Sequence, residues 1–114
     1  MKSIKISTDF SDVPLGRYST DSDYSGERFR EDFLRPALNS DEKVSVNIDG
    51  AEGYGSSFLE EAFGGLIRKG PFTREQLKKC LIIVNNDASF RIYRDLIWKY
   101  IDEAKPDRKN QGKK

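Results

Sequence analysis

Apolar and polar residues alternate over 44–49, and this two-residue period predicts a strand with one buried face. A turn follows, indicated by three closely spaced glycines: Gly50, Gly53 and Gly55. Beyond the turn, apolar residues recur every three or four positions, which predicts an amphipathic helix over 57–69. The serine pair Ser56 and Ser57 therefore lies where the carboxyl end of a strand meets the start of a helix. In open α/β sheets, ligands and partners usually bind at this point.

The rest of the chain divides into similar segments. Further strands are predicted at 3–8, 16–20 and 80–85, and further helical segments at 74–79 and 88–104. Thr73 with Gln76 has the spacing of a capping box, which predicts the start of the 74–79 segment. Another helix begins at the N-cap residue Ser25 and is expected to kink or end at Pro36. The uninterrupted apolar run at 80–85 predicts a strand that is covered on both faces. The order β-β-α-β-α-β-α predicts a single α/β domain in which about three helices pack on a sheet of about four strands.

Charge is distributed unevenly along the 114 residues. Residues 105–114 hold five of the 20 basic residues and one of the 19 acidic residues. The remaining body carries 15 basic and 18 acidic side chains, and its net charge of −3 disfavours nucleic acid as the main partner. The last segment is polar and aperiodic, so we predict a folded domain over 1–105 and a disordered basic tail over 106–114. Weak contact between this tail and an acidic partner is the alternative.

The composition also restricts the chemistry of the chain. It has no histidine, which removes histidine-based triads, the usual general base and most zinc sites. Its single cysteine, Cys80, cannot form an internal disulfide, and we expect it to be a small buried residue. We therefore expect no enzymatic activity, no metal and no cofactor. The lack of an apolar export signal and of an apolar run of about 20 residues predicts a cytoplasmic protein without a membrane span.

Three segments of the chain resemble a known family. They are Gly16-Arg17, Ser25-Gly26-Glu27-Arg28-Phe29-Arg30 and Ser57-Phe58-Leu59-Glu60-Glu61-Ala62-Phe63-Gly64-Gly65-Leu66. Together they look like the bacterial STAS-like domain family of unknown function, over roughly residues 4 to 104. The layout of strand, loop, serine pair and helix is also similar to the STAS domains of sulfate transporters and anti-sigma factor antagonists. The resemblance implies a signalling protein with a mixed β-sheet.

The resemblance also implies a role for the serine pair. In anti-sigma factor antagonists a partner kinase phosphorylates a serine at this junction, which releases the partner; Ser57 holds the matching position, with Ser56 beside it. A phosphate suits the site, because helix N-termini offer free amides and the positive end of a dipole. The antagonists have an acidic residue where this chain has Gly55, and tend to have glycine where it has Phe58. The structural alternative is a capping box between Ser57 and Glu60.

A surface around the serine pair is therefore expected to bind a histidine-kinase-type ATPase or an anti-sigma factor. Its residues would be Tyr54, Ser56, Ser57, Phe58, Glu60 and Glu61. Glu60 and Glu61 diverge by about 100° around a helix, so they are not expected to form a catalytic carboxylate pair. In the same helix, Gly64 and Gly65 each cost about 1 kcal/mol relative to alanine. This cost indicates close packing on the sheet or the first helix, or a flat surface for a partner helix.

Arginines near the start of the first predicted helix offer a second candidate site. Arg17 and Arg30 are candidates for holding an anion, since a guanidinium group binds phosphate through two hydrogen bonds. The alternative is an ion-pair network among Arg17, Glu27 and Arg30. The sequence thus leaves two functions open: a protein-interaction module, and a sensor that binds a nucleotide or a small anion without catalysis.

Overall fold

The computed structural model describes residues 2–40, 43–70 and 72–107. Its centre is a parallel sheet of three short strands in the order β1-β2-β3: β1 (Lys2–Lys5), β2 (Val44–Asn47) and β3 (Leu81–Val84). The register pairs Ile4 with Val46 and Val46 with Ile83, so buried side chains of the three strands form one row. The alternation over 44–49 therefore predicted the buried face of β2 correctly.

Helices connect the strands and cover one side of the sheet. Helix α1 runs through the consecutive segments Gly26–Phe29, Arg30–Leu34 and Arg35–Ser40, and α2 runs through Ser56–Leu59, Glu60–Gly64 and Gly65–Arg68. Helix α3 is Arg74–Cys80, α4 is Arg91–Glu103, and single helical turns lie at Ile6–Phe10 and Ala88–Phe90. Two predicted caps are confirmed. The Ser25 hydroxyl accepts a hydrogen bond from the amide of Arg28 (3.2 Å), and Thr73 and Gln76 form a capping box at the start of α3.

Helix α1 does not end at Pro36 but continues to Ser40. The turn just before the proline is wider than an α-helical turn, because the amide of Arg35 donates to the carbonyl of Arg30, five residues earlier. A proline lacks an N–H group, and its ring crowds the carbonyl one turn back. The wider turn reduces this crowding, so the helix tolerates the proline.

The sheet has three strands among the described residues rather than about four, and it is parallel rather than mixed. The predicted strand at 16–20 is wrong. The backbone of this segment forms hydrogen bonds with the start of α1 instead. The amide of Gly26 donates to the carbonyl of Gly16 (2.9 Å), and the amide of Glu27 donates to the carbonyl of Arg17 (3.0 Å). Gly16 has a φ angle of 91°, which is incompatible with a strand. This segment thus satisfies amides that have no partner within the helix.

The second face of the sheet is open to solvent, which contradicts the predicted two-sided cover of the strand at 80–85. Ile82 is 40% exposed, and the residues paired beside it, Ser45 and Ser3, are half-buried and exposed. With strands in the order β1-β2-β3, two successive right-handed crossovers place their helices on the same face. That face holds the core, whose largest fully buried side chains include Phe29, Phe58 and Phe63.

Helices α1 and α2 touch backbone to backbone. A β-carbon at Gly26 would come within 2.4 Å of the carbonyl oxygen of Phe58. Aromatic rings fill the space beside this contact, with Phe10 and Phe29 at a centroid distance of 5.2 Å and Phe29 and Phe58 at 6.1 Å. The start of α1 is therefore fixed on the first turn of α2.

The described chain ends just after α4. The amide of Asp107 donates to the carbonyl of Arg68 (2.9 Å), and its carboxylate lies 3.4 Å from the amine of Lys69. From residue 108 onward, the predicted tail lies outside the described residues, so its disorder stays a prediction. Cys80, expected to be buried in a strand, is instead the half-buried last residue of α3. Among the described residues, no helix is long and apolar enough to cross a membrane.

Candidate functional site

The serine pair occupies the first turn of α2. The helix begins at Ser56, and Gly55 is its N-cap, with φ −74° and ψ 150° and no side chain to accept a hydrogen bond. Ser56 and Ser57 are both exposed. The predicted capping box between Ser57 and Glu60 is wrong, because the helix begins earlier than the pattern indicated and Ser57 lies inside it. The first amides of α2 are thus left without a side-chain cap.

An aromatic cluster holds the loop that leads into α2. The Tyr54 hydroxyl donates to the carbonyl of Ile48 (2.7 Å), which closes the loop back onto the end of β2. The Tyr54 ring packs against Phe58, Phe90 and Tyr93, with centroid distances of 5.3–6.2 Å. Burial, followed by the nearby Asp49 carboxylate, raises the pKa of the Tyr54 hydroxyl well above its ordinary value. Tyr54 is therefore a structural anchor of the junction.

The residues predicted to bind a partner separate into two groups. Tyr54, Phe58 and Glu61 are buried, with exposed fractions of 8%, 0% and 1%. Ser56 and Ser57 are exposed and Glu60 is half-buried. Any docking surface at this junction consists of the second group, because the first group is covered by the protein itself.

Glu60 and Glu61 lie at the centre of an ion-pair network. The Arg17 guanidinium bonds to the Glu60 carboxylate and lies 3.1 Å from Glu61 Oε1. Arg68, at the end of α2, donates through Nη2 to Glu60 Oε1 (3.2 Å) and Glu61 Oε1 (3.0 Å), and through Nη1 to Glu60 Oε2 (2.5 Å). The network thus connects the loop before α1 to the middle and the end of α2.

Arg30 and Glu61 form the buried part of this network. Arg30 Nη1 donates to Glu61 Oε2 and to the Glu61 carbonyl oxygen, each at 2.7 Å, and Arg30 Nε donates to Glu31 at 2.8 Å. The exposed fractions of Arg30 and Glu61 are 3% and 1%. A buried pair of this kind contributes little net stability but is costly to break, because the remaining charge is left without a partner.

The two helical glycines make room for these charges. A β-carbon at Gly65 would come within 2.3 Å of Arg30 Nη1, and one at Gly64 would come within 3.0 Å of Glu60 Oε2. The predicted close packing on the first helix is therefore confirmed for Gly65, where the Arg30 side chain is the group that packs. A β-carbon at Gly64 would instead meet Glu60 of its own helix and the carbonyl oxygen of Tyr100 in α4 (3.5 Å). Each glycine lies about one turn after a glutamate, and Arg68 lies one turn further. This spacing was the signal in the sequence for a charge network.

The network also sets the ionisation of its members. Burial alone would raise the pKa of the Glu60 carboxyl, but hydrogen bonds from Arg68 and Arg17 outweigh it and hold the pKa below its ordinary value. The hydrogen bond to Glu60 raises the pKa of Arg17 in turn. These groups therefore stay charged at neutral pH.

Arg17 and Arg30, the candidate anion-binding residues, share Glu61 as a partner. The predicted network of Arg17, Glu27 and Arg30 has the right arginines and the wrong acid. The Glu27 carboxylate accepts a hydrogen bond from the amide of Ser19 (2.7 Å) instead. Within the described ranges, no three His, Cys, Asp or Glu side chains are arranged to hold a metal ion.

Comparison with known proteins adds one match. A family model described as a STAS-like domain of unknown function (DUF4325) matches residues 25–89, which is more than half of the chain. The matched segment starts at the N-cap of α1 and includes the serine pair and every network residue except Arg17. No curated protein and no solved structure matches the chain significantly.

Proposed function

Because this chain belongs to the family of STAS-like domains of unknown function, we propose that it is a regulatory module that acts by binding another protein. The proposed partner is a histidine-kinase-type ATPase or an anti-sigma-like protein, the partners of the anti-sigma factor antagonists that the chain resembles. The role is non-enzymatic and the location cytoplasmic. The proposed docking surface is the start of α2, with Ser56 and Ser57 exposed and Glu60 beside them.

One observation carries the proposal: the start of α2 is accessible and uncapped. Both serine side chains are exposed, and the N-cap Gly55 offers no side-chain oxygen to the first amides of the helix. These amides and the helix dipole attract an acceptor group from outside the chain. The site also lies at the carboxyl edge of a parallel sheet, where partners of α/β proteins usually bind.

Phosphorylation is the proposed means of regulation, with Ser57 as the first candidate and Ser56 as the second. A phosphate would add a charge of nearly −2 and three acceptor oxygens to the docking surface. The helix amides would stabilise this charge, so the fold should tolerate the modification. A partner that buries the unmodified surface would be repelled, since an unpaired anion in an interface costs several kcal/mol.

The alternative function, a sensor of nucleotides or small anions, has less support. Arg17 and Arg30, the residues that would hold the anion, already bond to carboxylates. An incoming phosphate would have to displace Glu60 or Glu61 from them.

Affinity capture from the native cell followed by chemical cross-linking tests the proposal. We expect a protein of the ATPase or anti-sigma-like type to be captured, and its cross-links to fall near Ser56 and Ser57. Mass spectrometry of the same sample locates any phosphate. A captured partner whose cross-links map to the open face of the sheet, around Ser3 and Ile82, would contradict the proposed surface.

A further inference from the structure

The loop before α1, residues 11–25, has an unusual surface. Six large hydrophobic residues are exposed in the described part of the chain, and four of them lie in this loop: Val13, Leu15, Tyr18 and Tyr24, with exposed fractions of 45–60%. Scattered single hydrophobic residues are normal on a protein surface, but a concentration of them marks an interaction site. The loop therefore requires an explanation beyond the stability of the fold.

The backbone of this loop is held in place while its apolar side chains point outward. The amide of Leu15 donates to the carbonyl of Tyr24 (3.0 Å), which closes the segment 15–24 on itself. The amide of Tyr18 donates to the carboxylate of Asp21 (2.9 Å). The Tyr24 ring meets the ring of Phe10 edge to face, with centroids 5.6 Å apart. An ordered loop of this length without regular structure is uncommon and usually functional.

The charge around these side chains is mostly negative, although Arg28, just beyond the loop, is exposed and donates to the carbonyl of Asp23 (3.3 Å). Residues 9–27 contain five carboxylates and one basic residue, Arg17. Arg17 is bonded to Glu60 and Glu61, so the loop surface is left acidic, with Asp12 and Asp23 exposed. A second copy of the same surface would be repelled. The chain's own basic segment, 105–114, has the opposite charge but no large apolar residue to cover the patch.

We infer that residues 11–25 bind a cationic, amphipathic segment of a partner protein, whose basic residues meet the carboxylates and whose apolar residues cover Leu15 and Tyr24. The inference rests on the proposed function, because this loop adjoins the proposed docking surface. Arg17 bonds to Glu60 in α2, and the amide of Glu52, in the loop before α2, donates to the carbonyl of Asp12 (2.8 Å). One partner can therefore contact both surfaces.

A display library of random peptides of about 16 residues, long enough for four helical turns, tests this inference without a known partner. The wild-type chain is the bait, and an enriched peptide is synthesised for titration. We expect enriched peptides to combine Lys or Arg with Leu, Ile or Phe. Leu15→Ser and the double change Asp12→Lys/Asp23→Lys should each weaken binding by ten-fold or more. The matched control is Ile92→Ser, at an exposed apolar residue outside the loop (62% exposed), which should have no effect.

The salt dependence of peptide association tests the role of charge, and a second variant tests the proposed function separately from the role of the loop. If charge guides the encounter, association should slow markedly between about 50 and 300 mM salt. Enrichment of neutral or acidic peptides, affinity that does not depend on Leu15, or no enrichment at all would overturn the inference. Ser57→Asp, measured with the native partner, tests the proposed function separately. Loss of partner binding there, with no effect of Leu15→Ser, would leave the proposed function standing and remove the role of the loop.

Discussion

The guanidinium group of Arg30 lies against the backbone of Gly65, where a β-carbon would come within 2.3 Å of Nη1. The same nitrogen donates to the carboxylate and to the carbonyl oxygen of Glu61, at 2.7 Å each. Arg30 thus depends on α2 for its space and for its buried counter-charge. This contact fixes how α1 packs on α2, and with it the position of the loop before α1.

Gly65→Ala should therefore destabilise the protein, although alanine is the better helix former. The higher helix propensity of alanine alone would stabilise the protein by about 1 kcal/mol. Overpacking and the displacement of Arg30 from its buried partner outweigh this gain, so we expect a net loss of about 2 to 4 kcal/mol in the free energy of unfolding. Urea unfolding of the variant and the wild type measures this loss. Gly55→Ala is the control, because a β-carbon there meets nothing within 4 Å, and it should cost less than about 1 kcal/mol. Equal effects of the two changes would show that the Arg30 contact is not what requires glycine.

Glu61→Gln should be more damaging than its small change in shape suggests. It leaves the Arg30 guanidinium, 3% exposed, without its buried counter-charge. Removing one partner of a buried ion pair typically costs about 3 to 5 kcal/mol. The double change Arg30→Met/Glu61→Leu removes both charges and should recover part of this loss. If the double variant is less stable than Glu61→Gln alone, the cost does not come from an unpaired charge.

Ser57→Ala should leave stability unchanged to within about 0.5 kcal/mol, because Ser57 lies inside α2 and caps nothing. Gly55→Asp, at the true N-cap, should instead raise stability by a few tenths of a kcal/mol, since aspartate accepts a hydrogen bond from a free amide. Urea midpoints of the two variants test the position of the cap. A loss of about 1 kcal/mol in Ser57→Ala would restore the capping box expected from the sequence.

The stability of the protein should decrease in acid in a way that depends on Glu60. The pKa of this carboxyl is lowered in the folded state from its ordinary value of 4.5. Its contribution to stability is therefore complete above that pH and is lost as the pH falls through the folded-state pKa. Glu60→Gln should be less stable than the wild type at about pH 7 and should lose less stability between about pH 7 and pH 3. If both proteins lose the same stability over this pH range, Glu60 does not contribute to the acid sensitivity of the fold.

Local patterns predicted the parts of the fold that depend on local chemistry. The alternation over 44–49 predicted the buried face of β2, and Thr73 with Gln76 predicted the start of α3, because a period and a capping box lie within a few residues. The strand expected at 16–20 failed because its backbone partners are the first amides of α1, which no local pattern reveals. The two-sided cover of 80–85 failed because it depends on where the crossovers place the helices.

At the candidate site, too, local features were predicted from the sequence and tertiary contacts were not. The exposed serine pair at the start of a helix was predicted, since strand, glycine turn and helix follow each other directly. The burial of Tyr54 and Phe58 was not predicted, because it arises from contacts with α1 and α4. Arg17 and Arg30 were identified from the sequence, but Glu61, their shared partner, lies at least 31 residues away. The partner of a charged side chain is set by tertiary packing.

The proposal that the start of α2 is the docking surface is tested most directly by calorimetric titration of the captured partner with Ser57→Asp. Aspartate adds a negative charge to this surface, while α2 should keep its fold because acids are favoured in a first helical turn. Ser3→Asp, on the open face of the sheet, adds the same charge elsewhere and is the matched control. We predict that Ser57→Asp weakens binding by ten-fold or more, which corresponds to about 1.4 kcal/mol, and that Ser3→Asp has no effect. Equal affinities of the wild type and Ser57→Asp would contradict the account.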